Sequence, residues 1–423
     1  MLWVELKRIL KMRSTWILAL IGLAVCSFYA ISTVLQVVKY VDRGNGQTDI
    51  IRGISVFEEN QKRYAPIKGE VTPELISFAV QIHHTLLEQY GSDYDIPAEQ
   101  KSNILGPYSP VYTWILRTYS DENGVALTSA DISTGQAMEF YPERLRKLEA
   151  QLQEKYEQTP QVVEYAMSIA RETQENYYYS YGIGATNAFG NLGACAFIVT
   201  LICIVMAAPI FSADYSTGAD DILRSTKRGK RELATAKISA TLLVILVIFS
   251  LCIGTFLLVI YSSFGFDDIT SAELLQIDYN PLRLNAMDIM WWIVLSAILS
   301  SIVMGAFALF VSSKSSSPLV SLAICISVAL IPTILSIFEA GGSFGHGFAA
   351  VEGNLMNWVR ICLPSGGVSL TGAMLNELAS LRFIWIGNLV VWTPPALLLS
   401  AAIQIPLWVT LTILSYNKHR VKQ

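Results

Sequence analysis

Residues Ile238–Phe264 read ISATLLVILVIFSLCIGTFLLVIYSSF, with no Asp, Glu, Lys, Arg or His. At about 1.5 Å per residue, a helix of this length exceeds the roughly 30 Å hydrocarbon core of a bilayer. Backbone groups in lipid must pair within their own segment, so the run is expected to be a membrane-spanning helix. Five further charge-free runs meet the same requirement: Thr15–Val38, Ala188–Phe211, Ile289–Val311, Pro318–Phe338 and Pro395–Ser415. Pro318 and Pro395 open their runs, where a missing N–H is harmless. Pro209, Pro332 and Pro406 lie deeper and are expected to kink or end a helical turn.

Composition agrees. Of 423 residues, 52% are hydrophobic and 15% charged, against roughly 25% charged in soluble domains. The basic flank of the first run (Lys7, Arg8, Lys11, Arg13) suits a secretory signal, and Leu23–Cys26 faintly resembles a lipoprotein cleavage box. The apolar run is too long for a signal core and continues past Cys26, so an uncleaved anchor is expected. Five of the six cysteines lie in apolar runs and none falls between residues 41 and 187, which argues against a disulfide framework or a zinc cluster.

Lys and Arg in short segments set orientation. Residues 1–14, 212–237, 312–317 and 416–423 together hold fourteen of them, whereas the other side's short segments hold only Lys39, Arg283, Arg360 and Arg382. The first set is expected to be cytoplasmic, with both termini inside the cell membrane. The expected architecture is an all-α integral membrane protein with six transmembrane helices. An interfacial amphipathic helix occupies 1–14, with Leu2, Leu6, Ile9 and Leu10 on one face. The spans are 15–38, 188–211, 238–264, 289–311, 318–338 and 395–415. Outside lie a mainly helical extracytoplasmic domain (39–187), a loop (265–288) and a segment with short helices (339–394). Inside lie 212–237, 312–317 and the tail 416–423.

Within the large insert, residues 41–187 hold 12 Lys/Arg and 21 Asp/Glu, a net charge of −9. Thr72-Pro73-Glu74 starts an expected helix with Leu75, Ala79, Ile82, Leu86 and Tyr90 on one face. Tyr141-Pro142-Glu143 starts another, with Leu145, Leu148, Leu152 and Tyr156, and Thr159-Pro160 a third, running to about Tyr178. Short strands are expected within 91–140. Tyr177, Tyr178, Tyr179, Tyr181, Trp291, Trp292 and Trp392 read as an interfacial aromatic belt.

Motifs for chemistry are missing from the sequence. There is no phosphate-binding G-x-x-x-x-G-K-[ST] and no G-x-S-x-G elbow. His83 and His84 point to different sides of a helix and read as exposed; His346 reads as a loop residue. Inside the spans no ionisable residue offers an ion relay; Asp288 and Glu339 sit at edges, and Asn187 and Asn191 near one end. No catalytic residue, metal site, cofactor or nucleic-acid partner is expected; membrane lipids are. Ala297, Ser301 and Gly305, four apart in the fourth run, suit close helix packing, within the bundle or between subunits.

The longest internal cytoplasmic segment reads FSADYSTGADDILRSTKRGKRELATAK over residues 211–237. Thr217 is placed to cap a short helix whose first turn holds Asp220 and Asp221. Ile222 and Leu223 give that helix an apolar contact point, and Gly229 breaks the chain. Asp214, Gly218, Asp220-Asp221, Ile222-Leu223, Ser225-Thr226, Lys230-Arg231 and Lys237 together resemble the loop of ABC transporter permeases of the type-two exporter class. Lys227 stands where that family usually has proline. The long insert resembles the sodium-export and lipid-export subgroups. The sequence-specific part of the likeness covers about one-sixteenth of the chain.

The resemblance implies a permease that works as a dimer, with a second copy or paralogue, and performs no chemistry. ATP hydrolysis is expected on a separate cytosolic P-loop ATPase that grips residues 216–231 as a coupling helix. The residues it implies for coupling are Asp214, Gly218, Asp221, Leu223, Arg224, Lys227, Arg228, Lys230 and Arg231. A peptide, lipid or other amphipathic substrate suits the apolar spans. The alternatives are a mechanotransmission permease and a membrane sensor, each acting through the insert.

Overall fold

The computed structural model describes residues 1–42, 48–120, 127–172, 177–225, 230–266, 284–342, 354–379 and 382–418. The chain begins with helix α1 (Leu2–Lys11) and the first apolar helix, α2 (Arg13–Leu35). The hydroxyl of Thr15 donates to the carbonyl of Ile9 and the Trp16 indole N–H to that of Leu10, both at 2.8 Å, which fixes the bend at Met12. In α1, Glu5 and Ile9 are buried against the bundle, whereas Leu2, Trp3, Val4 and Leu10 are exposed. α2 stops at Leu35 rather than Val38, because Val38 already pairs in a hairpin, β1 (Val38–Asp42) with β2 (Thr48–Arg52).

The insert continues with α3 (Ile54–Arg63), β3 (Gly69–Glu70), α4 (Pro73–Tyr90), a single turn α5 (Ala98–Gln100), α6 (Ser109–Tyr119), α7 (Thr134–Met138), α8 (Phe140–Lys155) and α9 (Pro160–Glu172). β4 (Tyr178–Tyr179) closes it by pairing with β3. Thr72 caps α4 by accepting from the Leu75 N–H at 3.2 Å. The described part of 91–140 is helical turns, so the short strands expected there form instead at the edges of the insert.

The insert has two parts. One is a core of its own around Trp114, Val111, Ile76, Val80, Phe140, Tyr177 and Tyr179. Tyr177 and Tyr179 are therefore core residues rather than a belt, as is the buried Trp392 within the bundle cluster. The buried stripe of α4 runs through Ile76, Ala79, Val80, His83 and Leu86, one residue round from the face expected. His83 is buried, not exposed: Nδ1 lies 2.7 Å from Ser129 Oγ and Nε2 3.3 Å from Asp93 Oδ1. The other part joins the membrane bundle. Phe57 of α3, Leu148, Leu152 and Tyr156 of α8 and its turn, and Val162, Ala166 and Met167 of α9 share the bundle's apolar cluster.

The remaining apolar helices are α10 (Ala188–Ala207), continued after a break at Pro209 by α11 (Pro209–Thr217), then α13 (Arg231–Phe264), α14 (Ala286–Lys314), α15 (Pro318–Gly342) and α18 (Thr393–Lys418). A short helix α12 (Ala219–Ser225) follows α11. With α2, six helices among the described residues are long and apolar enough to cross a membrane, and the chain is a mainly helical multi-pass membrane protein. α10 and α14 are the most buried; α14 packs on α10, α13, α15 and α18, while α2 packs on α10 and α13. Between α15 and α18 lie α16 (Asn354–Cys362), α17 (Ala373–Ala379) and the hairpin β5 (Phe383–Ile386) with β6 (Leu389–Trp392).

α13 and α14 extend beyond their apolar runs at both or one end. α14 gains a capping box in which Asn285 and Asp288 exchange side-chain-to-backbone bonds at 2.8 and 3.2 Å. α13 starts at Arg231, seven residues before Ile238, because Leu233, Ala234 and Ala236 find buried places. His346, Glu339's side chain and most of the 265–288 loop lie outside the described residues.

The small residues of α14 face neighbours in the same chain. Ser301 Oγ meets Thr200 Oγ1 of α10 at 2.6 Å. A Cβ on Gly305 would lie 2.6 Å from Ile245 Cδ1 of α13, and Ala297 is 2% exposed.

Candidate functional site

Polar side chains concentrate where both chain ends meet the loop between the second and third apolar helices. Pro209 interrupts the helical ladder, and the freed N–H groups of Phe211 and Ser212 both donate to Ser312 Oγ of α14 at 3.0 Å. α11 ends at Gly218, whose φ of +71° turns the chain in the left-handed region that favours glycine. Thr217 does not cap α12: its hydroxyl bonds back to the Ala213 carbonyl at 2.9 Å within the last turn of α11.

Asp214 of α11 forms an ion pair with Lys237 of α13, whose side chain is fully buried. Arg8 of α1 approaches the other Asp214 oxygen at 3.6 Å, and Arg8 Nε lies 2.8 Å from Glu5 Oε2. Three helices are thus tied by an alternating row of charges, Glu5, Arg8, Asp214 and Lys237. The Lys237 ammonium also sits 5.4 Å from the centroid of the Phe211 ring.

Phe211 carries the network onward. Its ring lies 5.2 Å from that of Tyr416, in the last turn of α18. The Tyr416 hydroxyl donates to Asp220 Oδ1 at 2.8 Å, and Arg224 Nη1 donates to the Tyr416 carbonyl at 2.7 Å. The Arg224 guanidinium lies 4.9 Å above the Tyr416 ring and 3.7 Å from Asp220 Oδ2. α12 is therefore fastened to the last apolar helix by both ends of one tyrosine. Asp220 and Arg224 are 3% and 8% exposed.

The other face of α12 is bare. Asp221 and Ser225 are exposed, Ile222 is 74% exposed and Leu223 half-buried. Lys230 and Arg231 are exposed beside it, while Lys227 and Arg228 lie outside the described residues. Of the residues singled out from sequence, Asp214 and Arg224 turn inward, Gly218 makes the bend, and Asp221, Lys230 and Arg231 face outward. Glu5, Phe211, Lys237 and Tyr416 complete the network and were missed as site residues. A charge at the mouth of a long apolar helix needs a counter-ion, and that is the signal Lys237 carried.

At the other end of the bundle a second buried cluster holds α16, α17 and the β5–β6 hairpin. Glu377 Oε1 accepts from Arg360 at 2.7 Å and Arg382 at 3.0 Å, and Oε2 accepts from the Thr393 hydroxyl at 2.6 Å. Burial raises the Glu377 carboxyl, but the two guanidinium groups and the Thr393 hydroxyl outweigh it and hold the group below its ordinary value.

These contacts link α1, α11, α12, α13 and α18 to one another; among the described residues no three His, Cys, Asp or Glu side chains converge on a metal position. Comparison with protein-family models and with curated proteins returned no match.

Proposed function

We propose that the chain is the membrane-spanning subunit of an ATP-driven exporter of the type-two class, working as a dimer and energised by a separate cytosolic P-loop ATPase. ATP hydrolysis belongs to that partner; this chain supplies the path and the handle. The observation that carries the reading is α12. It is clamped from within through Asp220 and Arg224 to Tyr416, while Asp221, Ile222 and Ser225 stand in solvent. An exposed isoleucine beside charges, on a helix held rigidly to a membrane span, suits a force-bearing contact with a soluble partner. In this reading residues 212–237 and both termini are cytoplasmic and the insert is outside. A peptide, lipid or other amphipathic compound is the cargo.

A second reading, in which the insert receives a ligand or does mechanical work, is favoured by the insert's attachment to the bundle: Phe57 lies 4.5 Å from Phe264 at the end of α13.

The test is affinity purification of the full chain from membranes in mild detergent. The wild-type chain is expected to bring down a P-loop ATPase subunit, and Ile222→Asp is expected to lose it without change in thermal stability. Wild-type protein without an ATPase, or an Ile222→Asp chain that retains it fully, overturns the proposal.

A further inference from the structure

α8 and α9 form a helical hairpin on the insert, closed by the turn at Tyr156–Thr159, and an open groove of about 490 Å³ runs between them. Its floor is apolar, built from Tyr156, Val163 and Met167. Its rim carries Glu149, Glu157 and Glu164, with Arg171 at one end. Glu157 and Glu164 are exposed and Glu149 is half-buried. None of these three carboxylates makes an ion pair or hydrogen bond with a described residue.

An apolar trough edged by unpaired carboxylates is complementary to one kind of chain: a peptide with cationic side chains on one face and apolar ones on the other. Resting on the exporter reading above, we propose that this groove is the receiving site for a cationic amphipathic peptide. The apolar face of the peptide seats on the half-buried Val163, above the largely buried Tyr156 and Met167. Its Lys or Arg side chains reach Glu149, Glu157 and Glu164. The insert's net charge of −9 draws such a peptide from solution, in a salt-dependent way.

The floor also connects to the membrane bundle. The Tyr156 ring packs edge-on against Phe383 at 5.9 Å and Trp385 at 6.1 Å, both in β5. Tyr165, on α9, packs on Phe383 at 6.1 Å. The hairpin leads directly into α18, whose far end holds α12 through Tyr416. Occupation of the groove therefore presses on the same rod that carries the proposed coupling helix.

The experiment measures binding of a labelled short peptide with Leu and Lys at helical spacing to the full chain in detergent, by fluorescence anisotropy. A matched Leu/Glu peptide and the polyamine spermine are the comparisons. The Leu/Lys peptide is expected to bind, to weaken at least about tenfold in the combined E149Q, E157Q and E164Q variant, and to weaken with salt. The combined E149K, E157K and E164K variant is expected to prefer the Leu/Glu peptide, a gain that misfolding cannot produce. Undiminished Leu/Lys binding in the Gln variant, equal binding of the Leu/Glu peptide to the wild type, or equal displacement by spermine overturns the proposal. The assay needs no nucleotide. A chain that retains its ATPase but fails to bind peptide refutes the groove alone, whereas one that binds peptide without an ATPase partner refutes the exporter reading alone.

Discussion

Lys237 and Asp214 form an ion pair across α13 and α11, the lysine side chain fully buried and the aspartate 13% exposed. Such a pair is a poor source of net stability, because desolvation offsets the attraction, but breaking it from one side leaves a buried charge alone. The two sides are not equivalent here. Among the described residues, Asp214 retains Arg8 at 3.6 Å if Lys237 is removed, whereas Lys237 retains only the face of Phe211 if Asp214 is removed. Asp214→Asn is expected to destabilise the chain by about 3–5 kcal/mol and Lys237→Met by less. The double variant is expected to recover much of the loss. Thermal unfolding in detergent, read as a double-mutant cycle, checks the asymmetry.

Tyr416 tests the second half of the network. Tyr416→Phe keeps the ring against Phe211 and the Arg224 guanidinium but removes the donor to Asp220. A buried carboxylate that loses one hydrogen bond is destabilised by about 1–3 kcal/mol. The loss falls on the attachment of α12 rather than on the bundle. Tryptic cleavage near the exposed Lys230 and Arg231 is expected to accelerate roughly 5- to 150-fold, since local opening governs cleavage. Global thermal stability is expected to move little. A variant cleaved at the wild-type rate would show that Tyr416 does not hold α12 down.

Glu377 gives a pH signature. Its carboxyl is held below the ordinary glutamate value of 4.5, against the effect of burial, by Arg382, Arg360 and Thr393. A depressed folded-state value means that the contribution is fully present above pH 4.5. It is lost as the pH falls below that value towards the lower folded one. Acid is therefore expected to loosen α16, α17 and the β5–β6 hairpin before the apolar bundle melts. Glu377→Gln is expected to lower stability at neutral pH and to flatten this acid limb. Hydrogen exchange across 354–379 at falling pH checks both.

The sequence made the apolar bundle legible because lipid imposes one rule on every residue of a run, and six charge-free runs obey it. Helix ends were less legible, since tertiary contacts set them. Lys237 opened the third span on paper, yet α13 begins at Arg231 because Asp214 and buried neighbours support the extra turns. Asp214, Gly218 and Asp220 stood out as a polar order, but nothing local announced that Arg224 would turn inward to Tyr416, 192 residues away. The same limit explains Tyr177 and Tyr179. Four tyrosines before a span resemble a belt until β4 pairs with β3 and buries two of them.

The glycines of the bundle separate close approach to side chains from close approach to backbone. At Gly305 an added methyl would meet Ile245 Cδ1 at 2.6 Å and Leu242 Cδ2 at 3.3 Å, both tips of flexible side chains. They yield by changing rotamer, and alanine gains about 0.5–1 kcal/mol over glycine in a helix interior. Gly305→Ala is therefore expected to be near neutral. At Gly193 of α10 the methyl would lie 2.9 Å from the Cα of Gly372. That atom belongs to a turn with φ of +78°, immediately before α17, and a backbone in this region has no rotamer to change. Gly193→Ala is expected to cost about 1–3 kcal/mol, as overpacking does, despite the same gain in helix propensity. The strain should appear as faster hydrogen exchange in 372–379, where α17 is pushed off α10. Equal melting temperatures for the two alanine variants would mean that α17 does not rest on α10 as closely as these positions require.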